Sequence, residues 1–202
     1  MAFLPFLSGF LLGGSLIISI GAQNAFLLRQ GLLEQHVFVL CLICAVSDAL
    51  LITAGVAGVG TLVAQSPLLS QIATIGGIVF LLGYALFSFR RAMKPDVLKA
   101  AKSGAPSLRA AIAACLAFTY LNPNVYLETV LLVGSVSAGY AGNERIAFGA
   151  GAVTVSFVWF FGLGYGARLL QPVFARPLAW RVLDCATGVV MTSIAIGLLR
   201  SL

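Results

Sequence analysis

Charged residues are scarce in this chain of 202 residues. Lysine, arginine, aspartate and glutamate make up 9% of it, whereas 60% is apolar, and the mean hydropathy is +1.06. A soluble globular domain has about 25% charged residues, so the composition argues against that class and predicts a multi-pass membrane protein. Little sequence is left outside the apolar stretches to form a catalytic domain, and we do not expect an enzyme.

Residues for metal binding and redox chemistry are also few. The chain has one histidine, His36, and four cysteines, without the repeated spacing of a metal site. We therefore expect neither a metal nor another cofactor. Cys41 and Cys44 form a C-x-x-C pair that, with Cys115, leaves a membrane thiol-redox protein as an alternative. We favour cysteines that pack as small apolar residues and a histidine in a solvated loop.

Long apolar runs predict six transmembrane helices, because a helix needs about 20 apolar residues to cross a bilayer. The predicted spans are residues 3–28, 37–64, 67–89, 110–140, 146–170 and 182–200. Ten of the twelve basic residues follow spans 1, 3 and 5. The positive-inside rule puts those loops in the cytoplasm and both termini outside. The net charge of +6 is then explained by topology, and no nucleic-acid partner is expected.

Two segments one hundred residues apart share a pattern inside apolar stretches: Gly21-Ala-Gln-Asn-Ala-Phe26 and Leu121-Asn-Pro-Asn-Val-Tyr126. Gly21 and Pro123 make the backbone irregular where no water is available to its freed polar groups. Secondary transporters place such interrupted helices at their substrate sites. We therefore expect broken helices, and hinges, at Gly21 and Pro123.

A basic linker at 90–109 divides the chain into two sets of three spans. An odd number of spans per set means that the second set enters the membrane in the opposite sense. The sequence thus predicts a single all-α transporter domain, residues 1–202, made of two inverted repeats at 1–89 and 110–202. Glycines on helices 2 and 5 allow close packing, either within one chain or in a homodimer.

Two acidic residues lie centrally in the predicted spans. A charge at the bilayer centre costs about 2.5–3.5 kcal/mol and marks a functional site by default. Asp48 lies in the middle of helix 2, and Glu128 lies one turn after Asn124 on helix 4. The repeat counterpart of Glu128 is Leu28, so one half alone carries this acid. The alternatives are an Asp48 that only joins helices and a Glu128 paired with Arg145.

A third acid, Asp184, is assigned a structural role. We place it in the first turn of helix 6, where the helix dipole and nearby Arg181 favour a negative charge.

The motifs resemble one transporter family over essentially the whole chain. They are Gly21-Ala-Gln-Asn-Ala-Phe-Leu-Leu-Arg-Gln-Gly31, Ser47-Asp48, Leu121-Asn-Pro-Asn-Val-Tyr-Leu-Glu-Thr129 and Leu132-Val-Gly-Ser135, which look like the LysE/ArgO family of basic amino-acid exporters. The neutral amino-acid branch of the superfamily carries a Pro-Gly-Pro type motif instead. The family tends to have Asp where this chain has Glu128, which leaves the choice between arginine and lysine open.

The resemblance implies export of arginine or lysine across the bacterial cytoplasmic membrane, driven by the proton-motive force. Exporting a cation from an inside-negative cell costs about 2.3 kcal/mol per 100 mV, so exchange against protons is expected. An exporter of neutral amino acids or metal ions is the alternative within the superfamily. The expected partners are the substrate, protons and the lipid bilayer.

Site roles follow from charge and hydrogen-bonding capacity. Asp48 and Glu128 are expected to bind the substrate cation and to couple transport to protons. The substrate is further expected to contact polar side chains around the two interrupted segments: Gln23, Asn24, Ser47, Asn122, Asn124 and Tyr126.

Overall fold

The computed structural model describes residues 2–18, 21–58, 67–93, 107–122 and 125–200. All regular secondary structure within these ranges is helical, as predicted. The elements are α1 (Phe3–Ile17), α2 (Ala22–Leu32), α3 (Val37–Val56), α4 (Pro67–Ala92), α5 (Leu108–Tyr120), a π-helix (Tyr126–Leu132), α6 (Val133–Ser137), α7 (Gly142–Gly166), a 3-10 turn (Ala167–Leu170), α8 (Gln171–Phe174) and α9 (Pro177–Arg200).

Four helical stretches among the described residues are long and apolar enough to cross a membrane: Val37–Val56, Thr74–Ala92, Gly142–Phe174 and Pro177–Arg200. The bent pair α1 and α2 makes a fifth if it is one broken span, and its axes differ by 82°. The predicted fourth span consists of two shorter apolar helical pieces, Leu108–Tyr120 and Tyr126–Ser137. A multi-pass membrane protein is therefore confirmed, while the count of six spans and the side of the termini stay predictions.

The first predicted span is interrupted between α1 and α2. Gly21 caps α2 in an extended conformation, with φ −97° and ψ 169°. The carbonyl groups at the end of α1 lack partners within the helix, and Asn24 Nδ2 donates to the carbonyl oxygen of Ile17 at 2.7 Å. The Asn24 side chain thus replaces one hydrogen bond that the interruption removes.

The fourth predicted span is interrupted after α5. Tyr126 Oη donates to the carbonyl oxygen of Tyr120 at 2.9 Å, which satisfies the end of α5 in the same way. The following helix has π geometry, a form that is rare and frequent at functional sites. Pro123 and Asn124, for which a hinge and a substrate contact are predicted, lie outside the described residues.

Glycines allow α3 and α7 to pack closely against the second helical piece of a broken span. A Cβ at Gly55 of α3 would lie 2.6 Å from the carbonyl oxygen of Val130 in the π-helix. A Cβ at Gly31 of α2 would overlap the carbonyl oxygen of Gly164 in α7. Side chains are excluded at both crossings, so α3 packs on the second piece of one broken span and α7 on that of the other.

The largest buried cluster among the described residues lies where α2, α3, α4, α5, α7 and α9 meet. Aromatic rings fill it: Phe118 packs 5.2 Å from Phe26 and 4.7 Å from Phe80, measured between ring centroids. Cys44 and Cys115 are fully buried in the same cluster, with their sulfur atoms 3.2 Å apart. Among the described residues no group of histidine, cysteine and acidic side chains could hold a metal ion.

The prediction for Asp184 was wrong in its location and its partner. α9 begins at Pro177, so Asp184 lies nearly two turns inside the helix and not in its first turn. Its Oδ1 accepts hydrogen bonds from Arg29 Nη1 at 2.9 Å and from Arg91 Nε at 3.2 Å. Arg29, which the sequence suggested as a loop charge, is 6% exposed inside α2. The cluster therefore joins α2, α4 and α9 by a buried ionic contact.

Candidate functional site

A cavity of about 200 Å³ lies where the two broken spans face α3 and α7. We call it the acid cavity, because Asp48 and Glu128 are its charged lining residues in the described part of the chain, where no lysine, arginine or histidine lines it. Pockets for drug-sized ligands measure about 300–1,000 Å³, so the acid cavity suits a smaller molecule. The lining residues are Gly13, Leu16, Ile17, Gly21, Ala22, Gln23, Asn24, Asp48, Ile52, Asn122, Val125, Glu128, Thr129, Val133, Ser156, Phe160 and Ile194.

Asp48 occupies the buried side of the cavity. Its residue is 8% exposed, and Ser156 Oγ donates to its Oδ2 at 3.1 Å. Ser156 lies on α7, and the same hydroxyl is 3.3 Å from the carbonyl oxygen of Ala152. The carboxylate thus has one described hydrogen-bond donor and no described ion-pair partner, which leaves it able to hold a cation or a proton.

Glu128 reaches the cavity from the π-helix and is the more exposed acid of the two. The alternative partner suggested by the sequence was Arg145. The structure describes both Glu128 and Arg145, and they form no ion pair with each other. Glu128 therefore faces the cavity without a fixed countercharge there.

Amide side chains line the cavity beside the break in the first span. Gln23, Asn24 and Asn122 are all among its lining residues. Trp159 Nε1 donates to Asn24 Oδ1 at 3.3 Å, which fixes the amide that caps α1. Gln23 Nε2 is buried and, within the described residues, has no hydrogen-bond partner. A buried donor without a partner costs about 1–3 kcal/mol, and a bound anionic group would satisfy it.

Two predicted substrate contacts fall elsewhere. Ser47 is 4% exposed next to Asp48 but is not among the residues that line the cavity. Tyr126 is likewise not a lining residue, and its hydroxyl is bonded to Tyr120. The structure buries Ser47 and uses the Tyr126 hydroxyl to cap α5, and the substrate contacts of both residues stay predictions.

Ser156 and Trp159 are functional candidates that sequence reasoning missed. Both lie on α7, and their polar atoms contact predicted site residues from a helix with no acid near its centre. A serine and a tryptophan in an apolar span are common in membrane helices. Their role became visible only when the packing of α7 against α2 and α3 was known.

Comparison with known proteins identifies the family of this chain. A family profile described as "LysE type translocator" matches residues 14–202. The chain belongs to this family. The arginine exporter protein ArgO of Pectobacterium carotovorum is 42% identical over 199 residues, which is 98% of each chain. The ArgO protein of Salmonella enteritidis is 39% identical over 196 residues, 96% of this chain and 93% of that one.

A putative amino-acid transporter of Mycobacterium tuberculosis is 44% identical to this translocator over 182 residues, 90% of each chain. No solved structure matches significantly. The resemblance inferred from the motifs is thereby confirmed, and the protein is a multi-pass translocator of the bacterial cytoplasmic membrane.

Proposed function

We propose that this LysE-type translocator exports basic amino acids, arginine foremost, in exchange for protons. The observation that carries the proposal is the acid cavity at the two broken spans, which is lined by two carboxylates and, among the described residues, by no cationic side chain. A cation that leaves water needs such countercharges. The similarity to proteins named arginine exporters supports arginine as the first substrate to test.

The two ends of an amino acid suit different walls of the cavity. The N-terminus of α2 provides helix N–H groups and a positive dipole end beside Ala22 and Gln23. The α-carboxylate fits there, with Gln23 Nε2 as an additional donor. The cationic side chain then extends towards Asp48 and Glu128 on the other elements.

Exchange against protons supplies the energy for export against the membrane potential. Moving a monovalent cation out of an inside-negative cell costs about 2.3 kcal/mol per 100 mV. A carboxylate that holds either the substrate cation or a proton couples the two fluxes, because protonation from outside displaces the substrate there. Asp48 is the leading coupling group, since it is the more buried acid and lies on α3 away from the helix ends.

We further propose six spans in two inverted repeats, with both termini outside. The interruptions at equivalent places support this arrangement, as do the crossings of Gly55 with Val130 and of Gly31 with Gly164. Each crossing joins the second span of one half to the broken first span of the other half. Rocking of the two halves about the breaks would open the acid cavity to alternate sides.

The test is counterflow in proteoliposomes under an imposed pH gradient, with arginine, lysine, citrulline and threonine as substrates. Citrulline is a nearly isosteric neutral analogue of arginine, so it isolates the contribution of charge. We expect arginine uptake driven by an opposing proton gradient, with citrulline transported at least tenfold less efficiently. Transport of citrulline and threonine at the same rate as arginine would support a neutral amino-acid exporter. Arginine uptake that does not respond to the pH gradient would reject proton exchange.

A further inference from the structure

A second cavity lies at the opposite end of α2 from the acid cavity. It has a volume of about 520 Å³ and is walled by α2, α4 and α5. We call it the arginine cavity, because Arg29 and Arg91 are its charged lining residues. Most of its other lining is apolar or aromatic, with Gln30 as a polar exception.

The arginine cavity carries an incompletely neutralised positive charge. Arg29 Nη1 and Arg91 Nη2 contact the same oxygen, Asp184 Oδ1, at 2.9 and 3.1 Å. Among the described residues, two guanidinium groups thus share one carboxylate, which leaves a charge of +1 in that part of the cluster. Buried charge without compensation is costly, so an anionic group in the cavity would stabilise the arrangement.

An unsatisfied acceptor lies beside the guanidinium groups. Gln30 is 2% exposed, and its Oε1 accepts no hydrogen bond from the described residues. Burying such an oxygen without a donor costs free energy. A ligand that carries hydroxyl donors next to its anionic group would satisfy Gln30 and the arginines together.

The shape of the cavity distinguishes a lipid from a free amino acid. Along α4 its lining runs from Val79 to Arg91, about 18 Å at 1.5 Å rise per residue. Arg91 lies at the end next to the basic linker, and Val79 lies deeper in the span. Val79 is 68% exposed and Phe87 55% exposed in the protein alone, so this wall borders the surface that faces lipid.

We propose that the arginine cavity binds an anionic phospholipid with a hydroxyl-bearing headgroup, such as phosphatidylglycerol, from the leaflet next to the basic linker. The phosphate contacts Arg29 and Arg91, a headgroup hydroxyl donates to Gln30, and the acyl chain lies against Phe80 and Val79. Basic pockets between transmembrane helices bind anionic headgroups in this way.

Charge disfavours the two other nearby candidates. A basic amino acid would bring a second cation to a site that is already positive. The linker segment 94–106 contains three lysines and one aspartate, so its net charge is also positive. The anionic lipid is the occupant that complements the cavity in both charge and length.

Lipid titration of the purified full-length protein, followed by native mass spectrometry, tests the proposal. The probes are phosphatidylglycerol, phosphatidylethanolamine and phosphatidylcholine with the same acyl chains, and oleate as an anion without phosphate. We expect one tightly held phosphatidylglycerol per chain. Arg91→Gln should weaken it at least tenfold while leaving the Arg29–Asp184 pair intact, and Gln30→Leu should weaken it severalfold.

Arg90→Gln is the matched control, because it removes the same charge from the preceding residue of α4, which is exposed and lies outside the cavity lining. It should change binding less than twofold. Gly83→Leu is the second variant: it lines the cavity, and an added Cβ there meets no atom within 4 Å. That side chain should displace the lipid without changing charge or disturbing the fold, so the proposal stays testable if Arg91→Gln does not fold.

Four outcomes would overturn the assignment. Equal losses for Arg90→Gln and Arg91→Gln would reduce the effect to general surface charge. Equal binding of phosphatidylcholine would reject recognition of an anionic headgroup, and equal binding of oleate would reject recognition of the phosphate and its hydroxyl-bearing headgroup. Unchanged binding in Gly83→Leu would place the lipid elsewhere. None of these measurements depends on transport, so they fail or succeed independently of the proposed export.

Discussion

The acid cavity and the arginine cavity lie at opposite ends of the same short helix and carry opposite charges. The first turn of α2 contributes Ala22, Gln23 and Asn24 to the acid cavity, and Arg29 lines the arginine cavity. From Gln23 to Arg29 the helix rises only about 9 Å. The acids of one cavity and the arginines of the other therefore stay apart over a short distance, although a direct ion pair between them would have a lower free energy in a membrane.

The difference in pairing indicates what each set of charges is for. Asp184 is shared by two arginines and is 1% exposed, which makes it a structural link between three helices. Asp48 and Glu128 have no such partner in the described residues. Charges left without an internal partner in a membrane protein are those that remain available to a substrate, and this is the reason for assigning transport to the acid cavity.

The largest expected effect is a loss of folding stability when the ion cluster beside the arginine cavity is disrupted. Asp184→Asn leaves two buried guanidinium groups without a countercharge and should cost about 3–5 kcal/mol. Arg29→Gln leaves a neutral Arg91–Asp184 pair and should cost clearly less. Thermal unfolding of the purified variants in detergent measures both. If Arg29→Gln is as damaging as Asp184→Asn, the shared carboxylate is not the centre of the cluster.

The next largest effect is expected on export, at the acid cavity. Asp48→Asn keeps the shape of the side chain but removes its charge, and loss of one partner of a buried charge pair costs about 2–5 kcal/mol, more than about 30-fold in substrate binding. We expect arginine efflux from loaded cells to be lost while the protein still inserts. Thr53→Ala is the control on the same helix, because the exposed Thr53 hydroxyl donates to the carbonyl oxygen of Ala49 within α3. Full efflux by Asp48→Asn would exclude this acid as the coupling group.

A smaller, selective effect is expected from Glu128→Gln. Because Glu128 is more exposed than Asp48, its removal should weaken arginine binding roughly tenfold, between the values for exposed and buried pairs. Neutral substrates should be almost unaffected, since the shape of the side chain is kept. Competition of arginine counterflow by citrulline and threonine measures this, and equal losses for charged and neutral substrates would give Glu128 a structural role.

The smallest effect is expected from Ser156→Ala. The variant removes the described hydrogen bond to Asp48 without changing charge, and a hydrogen bond of this kind contributes about 0.5–1.5 kcal/mol, or about two- to tenfold. The Kd for arginine, measured by isothermal titration, should rise within that range, and the effect should vanish in an Asp48→Asn background. An equal effect in both backgrounds would mean that Ser156 acts independently of Asp48.

Much of this architecture is predictable from the chain itself. Apolar run length predicts the helices because it reflects the thickness of a bilayer, and Gly21 marks an interruption because its residue type disturbs a helix locally. The acids are found because their charge is costly. Each of these signals belongs to one residue and its immediate neighbours.

The errors concern contacts between distant segments. Asp184 was assigned to Arg181, three residues away, and its partners instead come from α2 and α4. The hydrogen bond of the Tyr126 hydroxyl to the end of α5 was likewise not foreseen, while its contact with the substrate stays a prediction. Ser156 was missed altogether. In each case several polar partners were available in the sequence, and only the packing of the helices selects one.

The most direct test of the central claim is binding of arginine and citrulline to the purified translocator, measured by isothermal titration. The account predicts that arginine binds at least tenfold more tightly than citrulline. That ratio should fall towards one in both Asp48→Asn and Glu128→Gln, and should be unchanged in Thr53→Ala. An arginine preference that survives the loss of both acids would contradict the assignment of the acid cavity as the substrate site.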